Sequence, residues 1–193
     1  MSNKTTYSIQ LTDGQTLQGF SRSELLNLSV LNDYSKALIK EDPAEEWTSI
    51  IDWKNNMYDK MEREGHYYFE GDPLLWWEKI LSLTFLYPKS WRLISFELKD
   101  SHFTLVFGNG KTAHFTEDSA NAEINIDKHL RRKITITLEN GEKHSFFESL
   151  MGYADSDFNL MIKLLKAKES SMMRFSLSMM TFNRSLRRII NAK

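Results

Sequence analysis

Three stretches of this chain share one pattern, in which two alternating segments flank a turn that contains Asp-Gly or Asn-Gly. Asn or Asp followed by Gly supplies the positive φ angles that tight hairpin turns require, and β-branched and aromatic residues fit the pleated strands on either side. The pattern predicts three β-hairpins with two-residue type I′ turns: "YSIQLTDGQTLQGF" at 7–20, "HFTLVFGNGKTAHFT" at 102–116 and "ITITLENGEKHSFF" at 134–147.

A further strand is predicted in "WRLISFELKD", residues 91–100. Its apolar residues Ile94, Phe96 and Leu98 alternate with polar ones, which is typical of a half-buried strand, and the next alternating segment begins at His102. We therefore expect these neighbours to pair. Together with the hairpins they indicate a largely antiparallel sheet of about five to seven strands.

Helices are indicated by their start signals. "SRSE" at 21–24 matches a capping box, in which Ser21 and Glu24 satisfy each other's backbone amides. "DPAEEW" and "DPLLWW" each place Asp at an N-cap and Pro at the first helical position, where no amide hydrogen is needed. Gly65 and Pro88 are natural stops for the two later helices. These signals predict helices over 22–39, 43–65 and 73–87.

The last part of the chain has the periodicity of an amphipathic helix. Apolar residues recur there in steps of three and four, with a break expected near "KAKESS" at 166–171. We predict a long helical region over 157–191, with this apolar stripe: Phe158, Met161, Leu165, Met172, Phe175, Met179, Phe182, Leu186 and Ile189.

These elements predict a single α+β domain over 1–193. An apolar fraction of 41% is ample for a packed core, and no Pro/Gly/Ser-rich linker divides the chain. The first hairpin either joins the main sheet or covers one of its edges. The predicted segments are an N-terminal hairpin over 1–20, a helical block over 21–87, an antiparallel sheet over 91–147 and the C-terminal helical region over 157–191.

Composition bounds the compartment and the chemistry. The chain has no cysteine, which removes disulfides, thiolate nucleophiles and Cys-ligated metals. A secretory signal has an apolar region behind its first basic residues, and this chain shows none behind its first lysine. Its longest apolar stretches fall short of the roughly 18 residues that a membrane-spanning helix needs. We expect a cytoplasmic protein with no membrane span and no cofactor.

The formal net charge of −1 hides two regions of opposite sign. Residues 40–79 hold eleven acidic residues against five basic ones, whereas residues 159–193 hold eight basic residues against Glu169 alone. The two regions can face each other or two different partners.

The acidic region contains "HYYFEGDPLLWWEK" at 66–79, with five aromatic side chains in fourteen positions. We expect a corner between two helices. Such a corner is more often core than surface, but Tyr and Trp also anchor protein interfaces, and the acids nearby disfavour a phosphate backbone. If the corner is exposed, these residues are the predicted contacts to a protein partner, which can be a basic one: Tyr67, Tyr68, Trp76 and Trp77 as anchors, with Glu62, Glu70 and Glu78 as steering charges.

The basic C-terminal region has three interpretations. The simplest is a last helix that docks on the sheet. Its Met- and Phe-rich stripe also fits self-association or a partner helix. Contact with nucleic acid or another anionic surface is the third interpretation, although a basic face is a low-specificity signal. The residues concerned are Lys163, Lys166, Lys168, Arg174, Arg184, Arg187 and Arg188.

The five histidines are the usual catalytic or metal candidates, yet none lies in a His-x-x-x-His pair or a zincin motif. Two-residue turns would place His114 opposite Leu105 and His144 opposite Thr137. His66, near Glu62, Glu64 and Glu70, is the best acid–base or metal candidate. Phosphate-binding and nucleophile-elbow motifs are absent from the sequence, and we predict no metal site and no catalytic residue.

The sequence therefore predicts a non-catalytic protein-binding module, such as a small inhibitor, an immunity protein, a phage or mobile-element accessory factor, or an assembly adaptor. It would act through the acidic aromatic surface and, in part, the C-terminal helix. A nucleic-acid-associated regulator that uses the basic helix is the first alternative, and an enzyme with a site near His66 is the second.

Overall fold

The computed structural model describes residues 5–29, 31, 34–72, 92–126, 132–147 and 153–169. These residues form an α+β fold with three mainly antiparallel sheets of four strands each. They fall into two compact units, and the division lies between Arg63 and Glu64. The predicted fold class is thereby confirmed at the level of helices with antiparallel sheets, and the single domain over 1–193 stays a prediction.

The first unit is built around sheet 1, whose strand order is β2-β1-β3-β4. Its buried apolar core includes Ile9, Phe20, Leu25, Ile39 and Ile50. The N-terminal hairpin thus pairs with two later strands in sheet 1 and joins neither of the other two sheets. The elements are β1 (Tyr7–Gln10), β2 (Thr16–Phe20), α1 (Arg22–Leu28), β3 (Leu38–Glu41), β4 (Thr48–Ser49) and α2 (Ile50–Glu64).

The capping box at the start of α1 is confirmed. The Glu24 amide donates to Ser21 Oγ at 3.2 Å, and the Ser21 amide donates to Glu24 Oε2 at 2.9 Å. The predicted extent of this helix, 22–39, is wrong, because α1 ends at Leu28 and the chain returns as β3. Ile39 is buried opposite Ile9 of β1, so pairing with a distant strand overrides the local helical pattern.

The helix predicted from Pro43 begins seven residues later, at Ile50. Asp42 does not cap it, because its carboxylate accepts a 2.7 Å hydrogen bond from Ser8 Oγ on β1. Ser49 takes the capping role: its Oγ accepts from the Asp52 amide at 3.0 Å and donates to the Asp52 carboxylate at 2.7 Å. The described part of the predicted helical block over 21–87 contains three strands as well as two helices, so it is not helical throughout.

The second unit contains the other two sheets. Sheet 2 has the order β5-β6-β7-β8, and sheet 3 has the order β11-β10-β9-β12, in which only β12 runs parallel to its neighbour. The elements are β5 (His66–Glu70), β6 (Leu93–Lys99), β7 (His102–Phe107), β8 (Thr112–Thr116), a 3₁₀ turn (Glu117–Ser119), β9 (Ala120–Ile126), β10 (Arg132–Leu138), β11 (Lys143–Phe147), α3 (Asp155–Leu164) and β12 (Lys168–Glu169).

Aromatic side chains fill the interior of the second unit. On sheet 2, the Phe96 ring lies 5.8 Å from both Phe69 and Phe103, centroid to centroid. Phe107 on β7 reaches Phe146 on β11 at 6.5 Å, so the two sheets share this core. Offset and edge-on aromatic contacts of this kind add to the stabilisation that burial provides.

One further prediction about elements needs correction. "HYYFEG" is not a corner between helices, because His66–Glu70 form the edge strand β5 of sheet 2. Of the predicted C-terminal helical region, the described part consists of α3, which ends at Leu164, and of the strand β12. The helix predicted over 73–87 and the region from 170 onward lie outside the described residues.

All three predicted hairpins are present, but their loops hold three residues rather than two. Gly14, Gly110 and Gly141 have φ angles of +84°, +82° and +80°. Each is the third loop residue, after a turn closed by its own amide, which donates to the carbonyl three residues earlier. This is the arrangement of a type I turn followed by a left-handed glycine. The Asp or Asn before each glycine accepts from the amide two residues on, at 2.9–3.1 Å.

The additional loop residue shifts the expected pairing by one position. His114 lies opposite Thr104 instead of Leu105, and His144 lies opposite Ile136 instead of Thr137. The two predicted pairings are wrong for this reason. Residues that lie opposite each other share one side of the sheet, and side chains alternate between the two sides along a strand. A shift of one residue therefore places each histidine on the side of its observed partner, opposite to the side that the two-residue loop predicts.

The two-residue turn with positive φ angles occurs where it was not predicted. Asp100 and Ser101 have φ angles of 51° and 64° and connect β6 to β7, where Lys99 lies opposite His102. Both φ values match a type I′ turn, for which Asn-Gly is the favoured pair. The predicted pairing of "WRLISFELKD" with the next strand is confirmed.

We expect Ser101→Gly to raise the free energy of unfolding by about 0.5–1 kcal/mol, because glycine removes the cost of a left-handed conformation for a residue with a side chain but adds freedom to the unfolded chain.

Gly141→Ala should lower the free energy of unfolding by about 1 kcal/mol. A Cβ at Gly141 would meet no atom within 4 Å, so this loss would come from the backbone alone. Urea denaturation measures both changes. Equal stability of the two variants would contradict the turn assignment.

Candidate functional site

Sheet 2 has one buried face and one open face. Pairing of β5 through β8 places twelve side chains on the open face, here called the outer face of sheet 2, and none of them is buried. They form three rows across the four strands: His66, Lys99, His102 and Thr116; Tyr68, Glu97, Thr104 and His114; and Glu70, Ser95, Val106 and Thr112. Phenylalanine residues dominate the opposite face, which belongs to the core.

Tyr68 is the exposed aromatic residue of this face. Its side chain is 45% exposed, and it lies directly opposite Glu97 on β6. Glu70 follows two residues later on the same side of β5. Partial burial raises the pKa of the Tyr68 phenol, and the nearby carboxylates of Glu70 and Glu97 raise it further. The phenol therefore stays protonated at neutral pH and can both donate and accept a hydrogen bond.

His66 is paired with Glu97. Its Nε2 lies 2.8 Å from Glu97 Oε1, and each side chain is a little more than one-third exposed. The sequence placed His66 beside Glu62, Glu64 and Glu70, whereas its partner comes from the neighbouring strand. Glu97 is thus a residue of the face that the sequence analysis missed, although the alternation of "FELKD" put it on the polar side of its strand.

Two more histidines lie on the same face. His114 Nδ1 is 3.2 Å from Thr104 Oγ1, directly across from it, and His102 Nδ1 is 2.8 Å from the Asp100 carbonyl oxygen. Three of the five histidines in the chain therefore share one open sheet face with Tyr68. Among the described residues, however, no group of three histidine or acidic side chains is arranged to hold a metal ion.

Tyr153 holds the two strands that carry Tyr68 and Glu97. This buried tyrosine, just before α3, donates its hydroxyl hydrogen to the Ile94 carbonyl at 2.8 Å, and the Phe69 carbonyl lies 3.4 Å away. One side chain thereby contacts the backbones of both β5 and β6. Burial raises the pKa of the Tyr153 phenol well above its usual value, and the charge of Asp157 adds to the effect.

The predicted partner contacts are only partly brought together. Tyr68 and Glu70 lie on the outer face of sheet 2, but Tyr67 projects to the opposite side of β5 and is half-buried. Glu62 is exposed on α2, in the other unit. Trp76, Trp77 and Glu78 lie outside the described residues.

Three of the seven predicted basic contacts are described. Lys163 is exposed near the end of α3, and Lys166 forms an ion pair with Glu117. Lys168 lies in β12 and is exposed. Arg174, Arg184, Arg187 and Arg188 lie outside the described residues.

His144 is a core histidine. It is buried, and its ring stacks on Phe107 with centroids 5.3 Å apart and an interplanar angle of 16°. Its Nε2 lies 3.3 Å from Glu142 Oε1, in an orientation that does not make a hydrogen bond. This placement makes His144 a packing residue that contacts both sheets of its unit.

Comparison with protein-family models, with curated proteins and with solved structures finds no match to this chain. Among the described helices, none has both the length and the apolar character that crossing a membrane requires.

We expect the stability of the second unit to depend on pH in the alkaline range because of the Tyr153 phenol. Its pKa is raised above the usual value of 10.0, so the folded state holds its proton more tightly than the unfolded state does. The free energy of unfolding should therefore be unaffected by this group below pH 10 and fall as the pH rises above it. Urea denaturation between pH 8 and about 11 measures this dependence.

Tyr153→Phe is the matched variant for this measurement. It should lower stability at neutral pH by about 0.5–1.5 kcal/mol, because the hydrogen bond from the hydroxyl to the Ile94 carbonyl is lost while that carbonyl still accepts from the Gly71 amide at 2.9 Å. It should also reduce the alkaline fall, although Tyr7 and Tyr68, whose pKa values are raised as well, still contribute. An alkaline fall as steep in the variant as in the natural chain would contradict this role of Tyr153.

Proposed function

We propose that this protein is a non-catalytic module that binds another protein through the outer face of sheet 2. The observation that carries the proposal is Tyr68, 45% exposed on a face without buried residues and flanked by Glu70 and Glu97. Large aromatic side chains with a polar end are the residues most often found as energetic anchors of protein interfaces.

The partner that suits this face is a basic protein surface. Two carboxylates beside an exposed aromatic ring attract lysine or arginine, and the ring itself can contact such a cation. Lys99 is the one formally positive side chain among the twelve residues of the face, and it lies one row away from Tyr68 and Glu97. Under this proposal Tyr68 is the anchor and the two glutamates guide the approach of the partner.

This proposal revises the surface expected from the sequence. The contact region is the face of a strand rather than a helical corner, and Tyr67 drops out because it projects inward. Small inhibitors, immunity proteins, phage or mobile-element accessory factors and assembly adaptors are the classes of non-catalytic protein-binding module that fit this proposal. An interaction through the C-terminal region stays an additional proposal.

The second candidate function is enzymatic and rests on the His66–Glu97 pair, at 2.8 Å. A carboxylate that orients an imidazole is a common acid–base arrangement. A substrate screen in which His66→Ala abolishes turnover would favour the enzymatic function.

The nucleic-acid alternative depends on Lys163, Lys166 and Lys168, of which Lys166 already pairs with Glu117.

The binding proposal is tested by affinity capture from native cell extract after nuclease treatment, with the natural chain and two variants. Tyr68→Ala should reduce recovery of a specific, near-stoichiometric protein by tenfold or more, the effect of an anchor worth about 2 kcal/mol. The double variant Glu70→Lys, Glu97→Lys should reduce it further, and raised salt should weaken capture by the natural chain.

Glu45→Lys, Glu46→Lys is the control for the double variant. These residues are exposed acids in the first unit, so the control makes the same change in net charge at another place. Capture that is equally reduced by the control and by the double variant would reflect total charge and contradict the assigned face. Capture unaffected by Tyr68→Ala would contradict the anchor.

A further inference from the structure

The strand β8 forms one edge of sheet 2, and within the described residues no further strand pairs with it. The Phe107 amide donates to the Lys111 carbonyl at 2.9 Å, so these two residues form a hydrogen-bonded pair. Because such pairs alternate along an antiparallel ladder, Ala113 and Phe115 also direct their backbone groups towards β7. Thr112, His114 and Thr116 direct theirs away from the sheet.

The end of this edge is already closed by Ser119. Its Oγ accepts a hydrogen bond from the Thr116 amide at 2.8 Å and donates to the Thr116 carbonyl at 3.0 Å. The amides and carbonyls of Thr112 and His114 also point outward, and no described residue is bonded to them. Both residues have exposed side chains. The edge therefore presents two donors and two acceptors in one row.

The other sheet edges carry features that discourage pairing with another chain, and β8 does not. β2 contains Gly19 at φ +74° beside an irregular register, β4 and β12 have two residues each, β5 ends on Glu70 and β11 begins with Lys143. Short length, charge and bulges are the usual protections of an edge. β8, with the sequence TAHFT, has five residues and no lysine, arginine, acid, proline or positive φ angle.

We propose that β8 is a self-association edge, where a second copy of this chain pairs antiparallel about a two-fold axis at Ala113. In this register Thr112 lies opposite His114 of the second copy. The reciprocal pairs form four hydrogen bonds, which provide partners for the two amides and two carbonyls of each copy that no described residue of its own chain binds. Ala113 faces Ala113 across the axis. A non-hydrogen-bonded pair brings its side chains closest, and alanine is small enough for that position.

The charges of the edge agree with a second copy as the occupant. The reciprocal pairing places no two like charges directly opposite each other, since Lys111 faces Phe115 of the second copy. The paired sheets would continue into one sheet of eight strands, with two outer faces on the same side. This inference is independent of the proposed function, because it concerns the backbone of β8 and leaves Tyr68, Glu70 and Glu97 uncovered.

Sedimentation velocity over a concentration series tests the proposal with His114→Pro and His114→Ala. The His114 amide hydrogen does not bond to β7, so proline leaves the ladder intact but removes a donor and places its ring towards the second copy. The natural chain and His114→Ala should dimerise as concentration rises. His114→Pro should weaken dimerisation at least about tenfold, and Thr112→Pro serves as a second variant if the first does not fold.

Hydrogen exchange of the natural chain locates the contact without any substitution. The amides of Thr112 and His114 should become protected as concentration rises, while those of Ala113 and Phe115, already bonded to β7, should not change. A natural chain that stays monomeric at every attainable concentration would overturn the proposal. So would a dimer that proline at 112 or 114 leaves unchanged, or one whose exchange at these two amides is independent of concentration.

Discussion

The length of a hairpin loop decides which side chains of this protein meet each other. A strand presents alternate residues to opposite faces, so one extra loop residue changes every pairing in the ladder that follows. The loops at Gly110 and Gly141 each hold three residues, and each ends on a glycine with a φ angle near +80°. That geometry places Thr104 opposite His114 and Ile136 opposite His144, and it completes the outer face of sheet 2.

The local signals of the sequence predicted much of the fold. The capping box at Ser21 and Glu24, the three hairpins and the pairing of β6 with β7 all depend on residues close together in the chain, and all are present. The predicted loop length of two residues was wrong, because Asn-Gly and Asp-Gly are compatible with both two-residue and three-residue loops. The side-chain hydrogen bonds that accompany the longer loop became visible only in the structure.

The errors in assigning helices and strands came from contacts between distant parts of the chain. Residues 38–41 overlap the end of the helix predicted over 22–39 but pair with β1, where Ile39 lies opposite Ile9 in the core. Residues 66–70 looked like a helical corner, yet Phe69 is buried opposite Phe96 and the segment is a strand. The residue pattern of a segment does not show which distant strand it pairs with. Tertiary pairing can therefore override helical propensity with no local signal in the sequence.

The same limitation shaped the candidate site. The sequence singled out Tyr68, Glu70 and His66 from one segment, and the structure added Glu97 from the next strand, 2.8 Å from His66. Tyr67 and Tyr68 could not be told apart while the segment was taken for a corner. As neighbours on a strand they face opposite sides, and this alternation turns a cluster of aromatic residues into one anchor and one inward-facing side chain.

The most direct test of the account is site-specific photo-crosslinking in native extract, with a benzophenone amino acid placed at position 68 in one sample and at position 67 in another. The two positions are adjacent in sequence and differ in the face they occupy. Binding through the outer face of sheet 2 predicts a discrete adduct with one partner protein from position 68 and none from position 67. An adduct of equal yield from both positions, or one from position 67 alone, would contradict the assignment of the outer face of sheet 2 as the binding surface.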